Sequence, residues 1–293
     1  KTDLSKLSTT SKKIIPILIE VSDLMDEIFW YEAFGDKEKL FNEVKNENVR
    51  KYLLINYGPW ERLNNNKPFL KNYGEKPAGA NFYPYDITKE EFDKFKNDCK
   101  FSQYTLIRRD KDKNLICIPY NIAFKEKLEK AANLMNQAAK ITDDLKLRNY
   151  LQLRAEALLN DNYFESDMAW MDMKDSEIDF IVGPIETYED KLFGYKAAHE
   201  AMILIKNFEW SEKFKKYINL LDVLQETLPI PDRYRNEKIS KESDIFIYDA
   251  IYYAGDCNAG SKTIAINLPN DEKVRALKGS RKLQLKNVIE HKF

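Results

Sequence analysis

Two histidines decide what metal chemistry this chain can support by itself. The sequence contains only His199 and His291. A common zinc-binding helix needs two histidines four positions apart, because residues i and i+4 lie on one face of a helix. His199 is followed by Glu200, as in that motif, but the second ligand position holds Ile203. We therefore predict that this chain binds no metal and that His199 is a helix-surface or packed residue.

Other common catalytic motifs are also missing from the 293 residues. The sequence has no G-x-S-x-G nucleophile turn, no G-x-x-x-x-G-K-[ST] phosphate loop and no Rossmann glycine fingerprint. These absences exclude the commonest hydrolase and nucleotide-binding interpretations. The charge balance indicates no nucleic acid partner, since 47 Lys and Arg residues face 48 Asp and Glu residues without a basic stripe.

Two polar turns next to predicted strands remain as candidates for chemistry. Residues 183–190 read G-P-I-E-T-Y-E-D, and Glu186 and Tyr188 would point to the same side if the segment stays extended. Residues 266–270 read I-N-L-P-N, so that the carboxamides of Asn267 and Asn270 flank a proline. Asn and Asp favour turns for local reasons, so the residues alone favour simple turn caps, and a binding role stays open.

The hydrophobic pattern predicts the elements that must position these turns. Helical spacing of apolar residues predicts helices over residues 14–34, 40–54, 122–141, 144–159, 163–173, 192–206, 210–228 and 283–293. Thr88 and Glu91 have the capping-box spacing that starts a helix over 90–97. Strands are predicted over 103–109, 115–119 and 177–182, the last ended by Gly183-Pro184, with extended segments at 245–253 and 262–268. Residues 56–86, rich in Gly, Pro and Asn, are predicted as loop.

These elements and the composition predict a helix-rich α+β fold with a small sheet assembled from distant parts of the chain. A hydrophobic fraction of 43% is enough to bury a core. Three cysteines are too few and too scattered for a disulfide framework. No apolar run is long enough to cross a bilayer, so a soluble chain is expected, in the cytoplasm or exported after removal of a signal.

Five stretches of the sequence carry a resemblance to a known family. They are residues 57–63 (Y-G-P-W-E-R-L), 76–84 (K-P-A-G-A-N-F-Y-P), 166–172 (S-D-M-A-W-M-D), 183–190 with F-G-Y-K at 193–196, and 265–271 (A-I-N-L-P-N-D). In this order they resemble the dipeptidyl peptidase III (M49) family, most closely its bacterial and plant branch. The similarity covers about residues 57–293. No Nudix box accompanies it, so pyrophosphate hydrolysis is not predicted.

The resemblance implies a two-lobed zinc metallopeptidase that releases dipeptides from peptide N-termini. In the family, one lobe holds zinc through a HExxGH-type helix and a later Glu, and the other lobe lays out the peptide on a small β-core. The zinc helix follows the region matched here, so we expect the zinc ligands downstream of this chain. The chain alone is then expected to be inactive, with a short peptide and the rest of its own polypeptide as its partners.

The resemblance also assigns roles to the residues of the two turns. Glu186 matches the carboxylate that binds the peptide ammonium group, and Asn267 and Asn270 match its carboxamide partners. The backbone of Ala265, Ile266 and Asn267 is expected to pair with the peptide as an added strand. Tyr188 matches a tyrosine that donates to the substrate carbonyl as the carbonyl becomes tetrahedral.

The resemblance further implies a division of the chain. Residues 1–206 are expected to form the substrate-holding lobe, 207–255 a helical segment of the zinc lobe, and 256–293 a return to the β-core and the start of a truncated helix. Because the chain begins at Lys1 rather than Met, and its last predicted helix lacks a stop signal, we expect it to be part of a longer protein. Two alternatives stay open: a non-catalytic peptide-binding module derived from the same fold, and a purely structural helical domain.

Overall fold

The computed structural model of the protein describes residues 2–218, 220–234 and 244–293. Twelve helices are described: α1 Thr9–Ala33, α2 Lys37–Glu43, α3 Glu47–Asn56, α4 Lys89–Lys94, α5 Tyr120–Ala123, α6 Lys125–Ile141, α7 Leu145–Asn160, α8 Phe164–Asp172, α9 Phe208–Ile218, α10 Leu221–Glu226, α11 Glu272–Lys278 and α12 Lys286–Lys292. Nine strands are described: β1 Trp60–Glu61, β2 Lys67–Pro68, β3 Thr105–Arg109, β4 Leu115–Pro119, β5 Ile178–Glu186, β6 Ala198–Lys206, β7 Asp244–Gly255, β8 Ala265–Leu268 and β9 Arg281–Leu285. None of these helices combines the length and apolarity that crossing a bilayer requires.

A five-stranded sheet of order β5-β6-β7-β9-β8 forms the centre of the fold. Its strands pair antiparallel, except for the parallel pair β7 and β9. The remaining strands form two small antiparallel ladders, of which β3 and β4 are the predicted hairpin. The prediction of a helix-rich α+β fold with a small sheet from distant parts of the chain is therefore confirmed.

A buried ion pair shows that the central sheet is curled. Arg281 begins β9 and donates from Nη2 to Oδ2 of Asp179 on β5 at 2.5 Å, although β6 and β7 lie between these strands. In a flat sheet, strands three places apart would be about 14 Å from each other. The side chains of Arg281 and Asp179 are at most 1% exposed. The same guanidinium also donates to the Tyr248 hydroxyl at 2.9 Å and to the Trp170 carbonyl at 2.8 Å.

Helix α1 packs across the sheet and supplies much of the core. Its fully buried apolar side chains follow helical spacing, and they include Ile14, Leu18, Val21, Met25 and Ile28. Near the end of the helix, Glu32 binds His199 on β6: Nδ1 of His199 lies 2.6 Å from one carboxylate oxygen, and its backbone N–H donates to the other at 2.8 Å. Burial raises the pKa of Glu32, and the contacts with His199 offset part of that rise.

The prediction of a helix over residues 192–206 is wrong, because Ala198–Lys206 form strand β6. This strand lies between β5 and β7 and is buried almost throughout. A strand that is covered on both faces has a continuous apolar run, and periodicity does not distinguish such a run from a buried helix. His199 is consequently a packed strand residue and not a helix-surface residue.

Three further boundaries differ from the sequence predictions. Strand β5 does not stop at Gly183-Pro184 but continues to Glu186 with a bulge, which is possible because an edge strand tolerates the missing N–H of proline. Residues 283–285 complete β9, and the last helix begins only at Lys286. Residues 244–255 form β7 of the sheet, in agreement with the extended segment predicted at 245–253, although the lobe division counted them in a helical segment. The division into lobes itself stays a prediction.

A short capped helix precedes the hairpin. Thr88 caps α4 by accepting the N–H of Glu91 at 3.1 Å, as predicted, and the helix ends at Lys94.

Two of the three cysteines, Cys99 and Cys117, form a disulfide, whereas Cys257 is free and buried. The scattered positions of the cysteines did not indicate this pair, because its partners meet only through the β3–β4 hairpin.

We predict that Arg281→Met destabilises the fold by about 3–5 kcal/mol, because it leaves the buried Asp179 carboxylate without its cation. Chemical denaturation followed by circular dichroism measures the free energy of unfolding. Lys111→Met, at an exposed position of the hairpin turn, is the matched control and is expected to change the stability by less than about 0.5 kcal/mol. Equal stability of the two variants would contradict the structural role of the ion pair.

Candidate functional site

Glu186 and Asn270 meet although they belong to opposite edges of the sheet. Glu186 is the last residue of β5, and Asn270 follows β8 at the other end of the strand order. The side-chain Nδ2 of Asn270 donates to the Ile185 carbonyl at 3.0 Å. Burial raises the pKa of the half-buried Glu186, and a hydrogen bond from the Asn270 side chain offsets part of that rise. The curled sheet therefore joins two of the predicted binding residues.

Strand β8 presents the other predicted binding residues along an edge. Ala265 and Asn267 are exposed, whereas Ile266 is buried between them, as the alternation of a strand requires. Within the described chain, β8 pairs only with β9, so its outer edge carries backbone groups without a strand partner. The described part of the chain gives Asn267 no side-chain hydrogen bond to Glu186 or Asn270.

Tyr188 does not lie in an extended segment. The sequence predicted that its side chain and that of Glu186 point to the same side only if the segment stays extended, so this argument does not apply. The strand ends at Glu186, and the next residues form a turn in which the Asp190 N–H donates to the Thr187 carbonyl at 3.2 Å. The Tyr188 side chain is 75% exposed. The turn thus presents a phenol to the outside of the molecule, two residues after the Glu186 carboxylate.

The residue after Tyr188 is held by two cations that the sequence predictions did not single out. Arg62 donates to both carboxylate oxygens of Glu189, at 2.7 and 3.1 Å, and Lys76 donates to Oε1 at 2.5 Å. Burial by itself would raise the pKa of Glu189, but the two cations hold that pKa at about 2. Asp256 lies in the same cluster, where burial and the negative charge of Glu189 raise its pKa to about 7.

Asp190, the next residue, anchors the far side of the same turn. It accepts a hydrogen bond from the Tyr83 hydroxyl at 2.6 Å. It also accepts backbone N–H bonds at 2.8–3.2 Å from Leu192, Phe193, Tyr195 and Lys196. Arg62, Lys76 and Tyr83 lie in the sequence stretches 57–63 and 76–84 that carried the family resemblance. The charges of Arg62 and Lys76 in these loop stretches were the available signal for a positioning role.

The described residues offer no site for the zinc ion that the family resemblance implies, and the same resemblance puts the zinc ligands downstream of this chain. No group of three or more His, Cys, Asp or Glu side chains in residues 2–218, 220–234 and 244–293 is arranged to hold a metal ion. His199 is fully buried and bound to Glu32. The groups that the described residues bring together are a half-buried carboxylate, a carboxamide, a strand edge that no other described strand covers, and an exposed phenol.

Most of the chain matches a known protein family. A model described as peptidase family M49 matches residues 102–293. Nudix hydrolase 3 from Arabidopsis thaliana is 31% identical over 352 aligned positions, which cover 99% of this chain and 45% of that protein. Dipeptidyl peptidase 3 from Homo sapiens is 27% identical over 120 residues, which cover 41% of this chain and 16% of that protein.

Solved structures show the same fold over the whole chain. DPP III from Caldithrix abyssi superimposes with a TM-score of 0.92 at 42% identity, covering 100% of this chain and 58% of that one. Dipeptidyl-peptidase III from Corallococcus sp. strain EGB gives a TM-score of 0.88 at 34% identity, covering 100% of this chain and 57% of that one. The chain therefore spans just over half the length of these two structures.

The Glu189 cluster predicts a specific acid sensitivity. Because the pKa of Glu189 is about 2 in the folded chain and near 4.5 when unfolded, its stabilising contribution is complete above pH 4.5 and is lost as the pH falls toward 2. Glu189→Gln is expected to be less stable at pH 7 and to lose less stability between pH 4.5 and 2. Denaturant titrations at several pH values measure both effects.

The exposed Glu156 supplies the control for this titration. Glu156→Gln removes a carboxylate for which no charged partner is seen among the described residues, so its stability should follow that of the unmodified chain at every pH. If Glu189→Gln and Glu156→Gln have parallel stability curves, the ion-pair cluster does not anchor the turn.

Proposed function

Because the chain belongs to peptidase family M49, we propose that it is the substrate-holding portion of a zinc-dependent dipeptidyl peptidase, which releases dipeptides from peptide N-termini. The observation that carries the proposal is the meeting of Glu186 and Asn270 beside the edge of β8 that no other described strand covers. We call these residues, together with Ala265, Ile266 and Asn267, the amine cradle.

The amine cradle suits the free end of a peptide. A peptide ammonium group has three N–H donors and a positive charge, so it needs an anion and neutral acceptors at fixed positions. Glu186 supplies the anion. Asn270 uses its Nδ2 group on the Ile185 carbonyl, which leaves its carboxamide oxygen as an acceptor. In this proposal, Asn267 supplies a second carboxamide from the exposed face of β8.

The outer edge of β8, which has no strand partner in the described part of the chain, gives the bound peptide a direction. A peptide that adds to the edge at Ala265, Ile266 and Asn267 forms backbone hydrogen bonds that do not depend on its side chains. With its ammonium group held at Glu186, such a peptide is measured from its N-terminus, and the same peptide bond is presented every time. This counting from the free end is what a dipeptide-releasing enzyme requires.

Tyr188 is proposed as the catalytic residue that this chain contributes. Its exposed phenol is a hydrogen-bond donor for a substrate carbonyl oxygen that gains negative charge during hydrolysis. The anchored residues Glu189 and Asp190 fix the turn that carries it. Zinc, when bound in the longer protein, would supply an activated water. The ligands of that zinc ion would be residues outside this chain.

The proposed lobes follow the sheet. Residues 2–206 and 244–293, which contain all five of its strands, are assigned to the substrate-holding lobe. Helices α9 and α10 are assigned to the zinc lobe. The chain alone is proposed to bind peptides without cleaving them, and a non-catalytic peptide-binding module would behave in the same way. Peptide hydrolysis and zinc content, measured on the longer protein, distinguish the enzyme from the module.

The first test measures peptide binding to the 293-residue chain by calorimetry. Glu186→Ala is expected to weaken binding of the tripeptide Ala-Ala-Ala at least about tenfold, because the ammonium group loses its anion. N-acetylated Ala-Ala-Ala should bind weakly to both proteins. Glu165→Gln, an exposed change on α8, is the control and should bind normally. Unchanged affinity in Glu186→Ala would refute the amine cradle.

The second test uses the raised pKa of Glu186. The amine cradle needs the ionised carboxylate, so affinity should fall as the pH drops toward the pKa of Glu186, above its usual 4.5, while the peptide amine stays protonated. Asn270→Ala removes a hydrogen bond that lowers this pKa, so the midpoint should move to higher pH. Asn267→Ala is the matched control and should leave the midpoint in place. Equal midpoints in the two variants would contradict the role of Asn270.

A further inference from the structure

Two further acidic residues lie next to the amine cradle in the sheet. Glu200 is on β6 and is 4% exposed. In the register of the sheet it stands opposite Gly183 of β5 on one side and Gly255 of β7 on the other, and neither neighbour has a side chain that would shield its carboxyl group. Asp256 directly follows Gly255. We call Glu200 and Asp256 the acid pair.

The pairing of β5 with β6 connects the acid pair to the amine cradle. Glu186 is paired with Ala198, and Glu200 lies two positions further along β6. Residues two apart on a strand point to the same face, and directly opposed residues share that face. Glu186 and Glu200 are therefore diagonal neighbours on one face of the sheet. Such neighbours lie about 7–8 Å apart, which is within reach of long side chains.

The two cations at this end of the sheet are already bound to another acid. Arg62 and Lys76 both donate to Glu189. In the part of the chain that the structure describes, no ion pair joins either member of the acid pair to a Lys or Arg side chain. Together with Glu186, this end of the sheet therefore has four carboxyl groups and two positive charges. Ionising all four would leave buried negative charge without compensation, which is costly.

The acid pair consequently keeps a proton at neutral pH. Burial raises the pKa of Glu200 well above its usual range, and the negative charges of Asp256 and Glu186 raise it further. Hydrogen bonds from Cys257 offset only part of this rise. Burial and the negative charge of Glu189 raise the pKa of Asp256 to about 7. The other charged groups that act on Asp256 are Arg62, Lys76 and Glu32.

We infer that a peptide whose ammonium group binds at Glu186 expels this proton from the acid pair into the solvent. This inference rests on the proposed function, because it needs the ammonium group to be held in the amine cradle. The ammonium group brings a third positive charge to the four carboxyl groups, and a nearby positive charge favours the ionised form of a carboxyl group. The O–H bond of the acid pair breaks, its electron pair stays on the carboxylate, and the proton passes to the buffer. Because the two acids interact, the proton is lost by the pair and not by one fixed residue.

Proton release makes the affinity for peptides depend on pH near neutrality. When binding expels a proton, a higher proton concentration opposes binding, so the affinity increases as the pH rises through about 7, where Asp256 titrates. The increase ends near about pH 8, where the peptide amine loses its own proton. The acid pair therefore sets the pH range in which the amine cradle binds peptides.

The test counts the protons that are exchanged when the tripeptide Ala-Ala-Ala binds to the 293-residue chain. Calorimetry in phosphate and in Bis-Tris buffer gives this count, because the two buffers take up a proton with different heats. At about pH 6.5 the peptide amine is almost fully protonated and takes up less than about 0.1 proton. We expect the release of at least about 0.3 proton per bound peptide from the unmodified chain.

A double variant identifies the source of the proton. Glu200→Gln combined with Asp256→Asn keeps the shape of both side chains but removes both carboxyl protons, so it should release less than about 0.1 proton per peptide. Glu200→Gln alone, to be used if the double variant fails to fold, should release at most about half as many protons as the unmodified chain. Glu156→Gln, an exposed change on α7, is the control and should release the full number. Release that persists in the double variant would overturn the inference.

The outcomes separate this inference from the proposed function. If Glu186→Ala binds Ala-Ala-Ala normally, or if the unmodified chain binds no tripeptide, the proposed function fails and the inference falls with it. If binding depends on Glu186 but releases no proton, only this inference fails. An infrared difference spectrum gives a second readout: peptide addition should remove the C=O band of a protonated carboxyl group from the unmodified chain but not from the double variant.

Discussion

The buried ion pair between Arg281 and Asp179 is the constraint on which the geometry of the site depends. It joins β9 to β5 across two intervening strands, and the carbonyl of Trp170 and the hydroxyl of Tyr248 accept further hydrogen bonds from the same guanidinium. Ions that are removed from water in this way are stable only when their geometry is fixed. The fixed curl then carries the end of β5 toward the segment after β8, where Asn270 reaches the Ile185 carbonyl. Without the curl, the amine cradle would be two unconnected edges.

Buried charges also support the exposed groups of the site. Glu186 and Tyr188 remain accessible, while the next two residues are buried and tied to the loops at 57–63 and 76–84. Glu189 and Asp190 lie within four residues of Glu186 and Tyr188 in the sequence, so little conformational freedom remains in the turn. A recognition site built in this way loses little conformational entropy when it binds, because most of that entropy was lost when the chain folded.

The helical layer, the hairpin and the class of the fold follow from local signals in the sequence. Helix α7 shows how: Asp144 caps it by accepting the N–H groups of Lys146 and Leu147, and its leucines and alanines recur at helical spacing. Strand β6 could not be identified in this way, because burial on both faces removes the alternation that marks a strand. That β5 continues through Pro184 could be predicted only by knowing that β5 lies at an edge of the sheet. This position is a property of the whole fold.

The residues of the candidate site also differ in whether the sequence could identify them. The family motifs identified Glu186 and Asn270, which the structure brings together, but the residues themselves gave no reason to prefer binding over turn capping. The anchors of Glu189 could not be found from spacing, because Arg62 and Lys76 lie 127 and 113 positions away from it. The pocket beside β5 was equally hidden, since its lining combines residues of β5, β8, α7, α8 and α11 with the short segment Ser102–Tyr104, and its volume is about 660 Å³.

The disulfide between Cys99 and Cys117 has a consequence for that short segment. It ties the residues just before Ser102 to strand β4, and the carbonyls of Lys100 and Ser102 accept hydrogen bonds from the buried Lys196 ammonium group. Disulfides form and persist in oxidising surroundings and are opened by thiol reductants. One wall of the pocket is therefore covalently tethered while the disulfide is intact, and it would be held by hydrogen bonds alone wherever a thiol reductant opens that bond.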